Sequence, residues 1–248
     1  MKKIILFALL LFLIWLVMEV YCRLPDQFKI TKVDIPQDTQ TLVVLFHGAK
    51  DHLNPELEAL ANEFRIYLDT NQNAEVINYN WSYGSDNRLR ASTNAIKIGE
   101  SLGSEIAKYK RLRHIRLIGH SVGAFIPDAL CKAYKERGGN ADIEINFLDP
   151  FSLRGFADKN YGVRSHGHCA DFASSIINTD DPAPSTNTIL ENAWNLDITN
   201  LKRPSDFIRN GHYWPPLYFL LSMNEDQAKM GYKTQNEHPR GVIVEAIE

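Results

Sequence analysis

Beyond residue 40 the chain alternates short, wholly apolar runs with segments whose apolar positions recur every three or four residues. That change of period marks strands and helices taking turns in an α/β domain. Residues 42–46 (Leu-Val-Val-Leu-Phe) predict a strand buried on both faces, ended by a turn at His47-Gly48-Ala49. Leu57, Leu60, Ala61 and Phe64 form one stripe of a helix over 54–67, and a second strand is expected over 74–80. Ala95, Ile98, Leu102, Ile106 and Tyr109 share a face of the next helix, which leads to a third strand at 114–119. Ser121 then opens a helix carrying Ala124, Phe125, Ala129, Leu130 and Ala133, which stops near Gly138-Gly139. Pro127 inside it should kink the helix or shorten its first regular turns. Residues 143–148 predict a fourth strand running into Asp149-Pro150, and residues 174–179 a fifth running into Asp180-Asp181-Pro182. Apolar strands separated by helices imply a mostly parallel central sheet flanked by helices.

The two ends of the chain read differently. Lys2 and Lys3 precede an unbroken apolar run, 4–18, which belongs in a membrane. No small-x-small cleavage pattern precedes Arg23, and Trp15 and Tyr21 suit the interface, so residues 1–22 are read as an uncleaved signal anchor rather than a removed signal peptide. Either way the two lysines stay cytoplasmic and the rest of the chain crosses. A polar, Pro-containing linker is expected over 23–40 and one catalytic domain over 41–223. Its longest irregular stretch, 182–211, is a candidate lid or cap through Ile189, Leu190, Trp194, Leu196, Ile198 and Leu201, with an exposed loop as the alternative. An apolar helix follows at 217–221. Residues 224–248 form a polar tail with a small edge strand at 241–244.

Composition narrows the picture only a little. Of 248 residues, 44% are hydrophobic and 23% charged, ordinary for one globular domain. A net charge of -3 without a long basic run argues against a nucleic-acid partner, and oligomeric state is not readable. Cys131 and Cys169 could pair in an oxidising compartment; two unrelated buried thiols are the alternative. Cys22 lacks the neighbours of a lipidation site.

Candidate chemistry centres on Gly119-His120-Ser121-Val122-Gly123, a G-x-S-x-G segment with a predicted strand before it and a helix after it. Such a bend pushes the serine out above the sheet, while the helix aims its first amides at a developing oxyanion. A serine hydroxyl is a weak nucleophile and needs a base. Elbows of this kind are followed by acid and then histidine, which leaves His166, His168, His212 and His238. His212, after the fifth strand and before an apolar helix, is best placed. Asp149, Asp180 and Asp181 all close strands and are candidate acids, although Asp before Pro is also a common turn-former. The amides of Ala49 and Val122 are the candidate oxyanion donors. This chemistry requires no metal and no cofactor.

These motifs, in this order, resemble the pancreatic-lipase-like family of α/β hydrolases. Val44-Leu45-Phe46-His47-Gly48 is similar to that family's oxyanion strand and turn; Asn80-Trp81 with Ala91, Asn94 and Gly99 resembles its strand-W and following helix. Gly119-His120-Ser121-Val122-Gly123-Ala124 looks like its elbow, and Leu148-Asp149-Pro150 its acid turn. Residues 176–180 look like its next strand, and His212 with Tyr218-Phe219 its histidine segment. The resemblance covers about 41–221. It implies an α/β-hydrolase fold, cofactor-free hydrolysis of a small-molecule or lipid ester, and Asp149 as the acid in preference to Asp180 or Asp181. The cysteines that bracket the family's lid and its C-terminal β-sandwich are not evident, so triglyceride preference is not carried over. Two rivals are a catalytically silent hydrolase-fold binding protein at the membrane, and a thioesterase or amidase using the same triad.

Overall fold

The unbroken apolar runs become strands covered on both faces. Every residue of β1 (Thr41–Phe46) and β5 (Phe172–Ile177) is buried, as are β3 (His114–His120) and β4 (Asp142–Leu148) beyond their first residues. A computed structural model of the chain describes residues 2–68, 73–224 and 236–247. Together with β2 (Ala74–Tyr79), β6 (Trp194–Asp197) and β7 (Ile243–Glu245), these strands form one sheet in the order β2-β1-β3-β4-β5-β6-β7, parallel at every pairing.

The pleat divides the core in two. Leu42, Val44 and Phe46 of β1 face α4 (Ala91–Ile106) and α5 (Phe125–Glu136), through Ala95, Ile98, Leu102 and Leu130. Val43 and Leu45, on the opposite face, join Leu57, Leu60 and Phe64 of α2 (Pro55–Tyr67) and Trp214 of α7 (Trp214–Ser222). Adjacent residues of one strand thus serve different helix layers, as a period of two requires. Two short helices, α3 (Ser82–Ser85) and α6 (Tyr161–Ser165), sit in the connections. Asn54 caps α2 with its side chain, accepting from the Leu57 amide at 2.9 Å, and Pro55 occupies the first helical position. A disulfide joins Cys131 to Cys169, with Cα atoms 6.0 Å apart.

Three stretches differ from the sequence-based expectation. Residues 182–211 are not irregular throughout. They contain β6, with Leu190 and Ile198 fully buried, and the Asn195 side chain bonds both the amide and the carbonyl of Leu190. A strand of only four residues is too short for its alternation to stand out, and Leu190 and Ile198 beside it pack into the core, while residues 182–184, Thr186 and Asn210 line the Ser121 cleft. Beyond Arg23, residues 24–40 hold no helix or strand, yet Val33 and Ile35 are buried and Asp26 takes hydrogen bonds from Arg90, which precedes α4, and from Asn94 in its first turn. The expected linker is a packed strap. Of the expected tail, 225–235 lies outside the described residues; the edge strand is β7, at 243–245.

The apolar N-terminal run is a helix, α1 (Lys2–Arg23), long and apolar enough to cross a membrane by length and composition, with a mean hydropathy of 2.7 in its most apolar window. Among the described residues, its last turns are what the domain holds. The Glu19 carboxylate accepts from the amides of Phe156 and Ala157, and the Cys22 carbonyl accepts from Thr93 Oγ1.

Candidate active site

The sheet order places an opening at one location. From β1 the chain moves outward to β2, then returns past β1 to start β3 on its other side. Strand order reverses between β1 and β3, so the turns leaving those two strands diverge and leave a crevice, the usual ligand position in an open α/β sheet. The turn after β1 is His47-Gly48-Ala49; the turn after β3 carries Ser121.

Ser121 sits at φ 56°, in the left-handed region that a residue with a Cβ seldom occupies. One turn of 3-10 helix (Ser121–Ala124) follows, and regular α5 begins only at Phe125. Pro127 therefore lies in the first turn of α5, where a missing amide hydrogen costs little. The two turns nest against each other. A Cβ on Gly123 would stand 2.5 Å from the His47 carbonyl oxygen and 2.7 Å from that of Phe46; a Cβ on Gly48 would stand 3.0 Å from Ser121 Cβ. Glycine at 123 lets the two backbones approach, and glycine at 48 leaves room for the Ser121 side chain. His47 fixes the first turn: its Nδ1 lies 2.8 Å from the Gly48 carbonyl oxygen, its Nε2 accepts from the Trp81 amide at 3.1 Å, and Trp81 Nε1 donates to its carbonyl at 2.8 Å. With Nε2 accepting, Nδ1 carries the hydrogen and donates. Burial pushes the His47 pKa down, in keeping with a neutral ring.

Ser121, His212, Ala49 and Val122 line one cleft of about 490 Å³, together with Arg88, Phe151 and the segment 181–184. The amide of Val122, second in its helical turn, has no intrahelical acceptor. A wider cleft of about 930 Å³ beside α5 contains His166 and Asp128 but no part of the elbow.

His212 lies in a 3-10 turn (Gly211–Tyr213) just ahead of α7, where the Asn210 side chain accepts from its amide at 3.1 Å. The turn is tied to the end of β5 by Asn178 Nδ2, which donates to the Gly211 carbonyl at 2.9 Å. Both Asp149 Oδ2 and Asp181 Oδ2 lie 2.7 Å from His212 Nδ1. Asp149 reaches it from the end of β4, at φ 49° and fully buried, and Asp181 from the loop after β5. The sequence posed these as alternatives; the fold brings both to the same nitrogen. Asp180 makes no contact with the His212 ring: half exposed, it pairs with Arg203 at 2.6 Å and accepts from Asn178 Nδ2 beside Gly211. It is removed from the acid candidates.

The two carboxyls are not equivalent. Asp181 Oδ1 accepts from the Ala183 amide at 2.9 Å and its Oδ2 from Thr186 Oγ1 at 2.8 Å, whereas Asp149, besides its bond to His212, takes a long 3.4 Å contact from the Asn178 amide. Burial alone would raise both pKa values. In Asp149 it does, helped by the facing Asp181, to about 7; in Asp181 the hydrogen bonds from His212 and Asp149 outweigh it and hold the carboxyl below its usual range. Burial lowers the His212 pKa, but hydrogen bonds to the two carboxyls prevail and push it up to about 9. The three side chains could present three ligand atoms to a metal ion, lying within 4.8 Å of one another. Their N···O distances are also those of an imidazole N–H shared between carboxylates.

A second histidine lies against the first. His120 is buried, its ring centroid 4.7 Å from that of His212, and its Nε2 is 3.1 Å from the His212 carbonyl oxygen. Its Nδ1 faces Asp51 Oδ2 at 3.5 Å, too long for a good hydrogen bond. Asp51 is held by Asn54 and by Arg209, which also pairs with Glu56 and lies 3.3 Å over the Tyr213 ring. Nothing in the sequence marked Asp51, Arg209 or Tyr213, since the pairs that join Arg209 to Asp51 and Glu56 span more than 150 residues and leave no local spacing. The remaining histidine candidates are away from the cleft: His166 is stacked on Phe147 and bonded to the Phe151 carbonyl, and His238 packs on Trp194. His168 borders the wider cleft by α5.

No protein-family model matches this chain, and no curated protein matches its sequence.

Proposed function

We propose that the chain is a serine hydrolase of α/β-hydrolase fold, akin to the pancreatic-lipase-like family, that cleaves carboxylic esters. The observation that carries this reading is a serine at positive φ, at the switch point of a parallel sheet, sharing a cleft with a histidine whose far nitrogen is held by two aspartates. In the proposed reaction Ser121 Oγ attacks the ester carbonyl while His212 Nε2 takes its proton. The amides of Ala49 and Val122 receive the oxyanion, and His212 returns the proton to the leaving alcohol. Water then attacks the acyl-enzyme by the same route. Asp149 and Asp181 orient the ring and stabilise its charged form. With Lys2 and Lys3 retained in the cytoplasm, α1 anchors the domain on the far side of the membrane; the Cys131–Cys169 disulfide agrees with an oxidising compartment.

The test is fluorophosphonate labelling of the purified chain with mass mapping, beside turnover of p-nitrophenyl esters by Ser121→Ala. Label on Ser121 and loss of turnover by about 10³-fold or more are expected. Wild-type turnover in Ser121→Ala would remove the serine from this role. Ester, thioester and amide substrates compared side by side decide the leaving group, which the triad does not encode.

A further inference from the structure

The fully apolar part of α1, residues 4–18, is 15 residues long and spans about 22 Å as a helix, less than the roughly 30 Å of a bilayer's hydrocarbon core. A short span is accommodated by drawing its flanks into the interface. The flank on the domain side is not free to do this alone, because the last turns of α1 are part of the fold. Glu19 is bound to the amides of Phe156 and Ala157. Arg90 donates to the Tyr21 carbonyl at 2.9 Å and stacks over the Tyr21 ring, and Thr93 holds Cys22. Whatever draws residues 19–24 into the interface therefore draws the surface around 87–93 and 155–157 with them.

That surface is suited to the interface. Leu24, Leu89 and Phe156 stand beside the docked turn and are 52%, 44% and 40% exposed. The first of these segments borders the Ser121 cleft, which Arg88 and Ala91 line on either side of Leu89 and Arg90; Phe151, five residues before Phe156, lines it too. Glu19, the only acid in α1, is withdrawn from lipid by its bonds to the domain.

We propose that this face lies in the headgroup layer of the bilayer that α1 crosses, with Leu24, Leu89 and Phe156 inserted, so that the cleft opens beside the membrane and takes acyl esters resident in it. The occupant of the face is the lipid surface, because the face continues the lipid-exposed surface of α1. The substrate half of the inference rests on the serine-hydrolase reading; the membrane contact does not.

The experiment uses the full-length chain reconstituted in phosphatidylcholine–phosphatidylglycerol vesicles. Nitroxide labels at Leu89→Cys and Phe156→Cys should collide with oxygen several-fold more, relative to a water-soluble nickel chelate, than a label at Ile66→Cys on α2, across the sheet. Equal ratios at all three positions overturn the membrane contact, whether or not the protein is an esterase. In a second arm, Leu89→Asp with Phe156→Asp should leave p-nitrophenyl butyrate turnover unchanged while slowing hydrolysis of vesicle lipid about tenfold or more, as expected from losing two buried apolar side chains. Equal lipid hydrolysis by variant and wild type overturns the substrate half. Absence of turnover on both substrates by the wild type overturns the hydrolase reading instead, and the substrate half with it, while the labels still decide the contact.

Discussion

His120 and His212 are near neighbours with opposite electrostatics. Their rings lie 4.7 Å apart, and both are withdrawn from solvent. Burial lowers the His120 pKa and prevails, because its one carboxylate is 3.5 Å away and the neighbouring His212 adds to the fall. The His212 pKa rises because two carboxyls touch one nitrogen at 2.7 Å. Proximity to an aspartate does not by itself charge a buried imidazole; hydrogen-bond length and the number of acids decide. Under the proposed function the two rings divide the work. His120 is a neutral spacer supporting the backbone of the His212 turn, and His212 is the ring that moves protons.

Removing both acids should have the largest effect on that contrast. Asp149→Asn combined with Asp181→Asn should lower kcat/KM by about 10⁴-fold, the scale of losing the acid of a serine triad altogether. Either change alone should cost less than about 100-fold, since the other carboxyl still holds Nδ1, and the two effects should be strongly non-additive. Steady-state kinetics on one ester checks this, and single variants as inactive as the double would show that the acids do not substitute for each other.

Stability gives the next largest effect. A folded His212 pKa of about 9, against 6.5 for an ordinary histidine, stabilises the fold fully below pH 6.5, and the contribution disappears as pH rises through 9. The raised Asp149 pKa acts in the same direction at lower pH, its effect fading between 3.8 and about 7. From pH 6.5 to 9 the wild type should therefore lose about 1–3 kcal/mol more than the double Asn variant, measured by denaturant unfolding at fixed pH values.

The activity profile sharpens the comparison further. Only the neutral ring accepts the serine proton, so kcat/KM should climb from neutral pH with its midpoint near 9 and level off about one pH unit above that. Asp181→Asn removes the ionised member of the pair and should move the rise toward acid by about one pH unit; Asp149→Asn should move it less. The smallest effect belongs to the other ring. Asp51→Asn should leave the profile in place, because His120 is already neutral, and should cost about 1 kcal/mol of stability through the bonds to Asn54 and Arg209. A profile displaced by Asp51→Asn would show that His120 titrates with the site.

The sequence by itself determined what local periods and chain order can carry. Continuous apolar runs separated by helical stripes specify a parallel sheet, because a strand without a polar face must be covered on both sides. The glycines on either side of Ser121 specify a tight turn, because a Cβ at Gly119 or Gly123 would run into backbone within 3 Å. His212 stood out by its place just ahead of an apolar helix, whereas Asp149, Asp180 and Asp181 all closed strands and only the family resemblance favoured Asp149. Only the tertiary structure decided what distant loops do when they meet. It brought Asp181 beside Asp149 and sent Asp180 to Arg203, although the two aspartates are adjacent in the chain. It also packed 23–40 as a strap and threaded β6 through 182–211. A side chain's direction at the end of a strand depends on the turn's dihedrals and on partners tens of residues away. Hydrophobic spacing encodes neither.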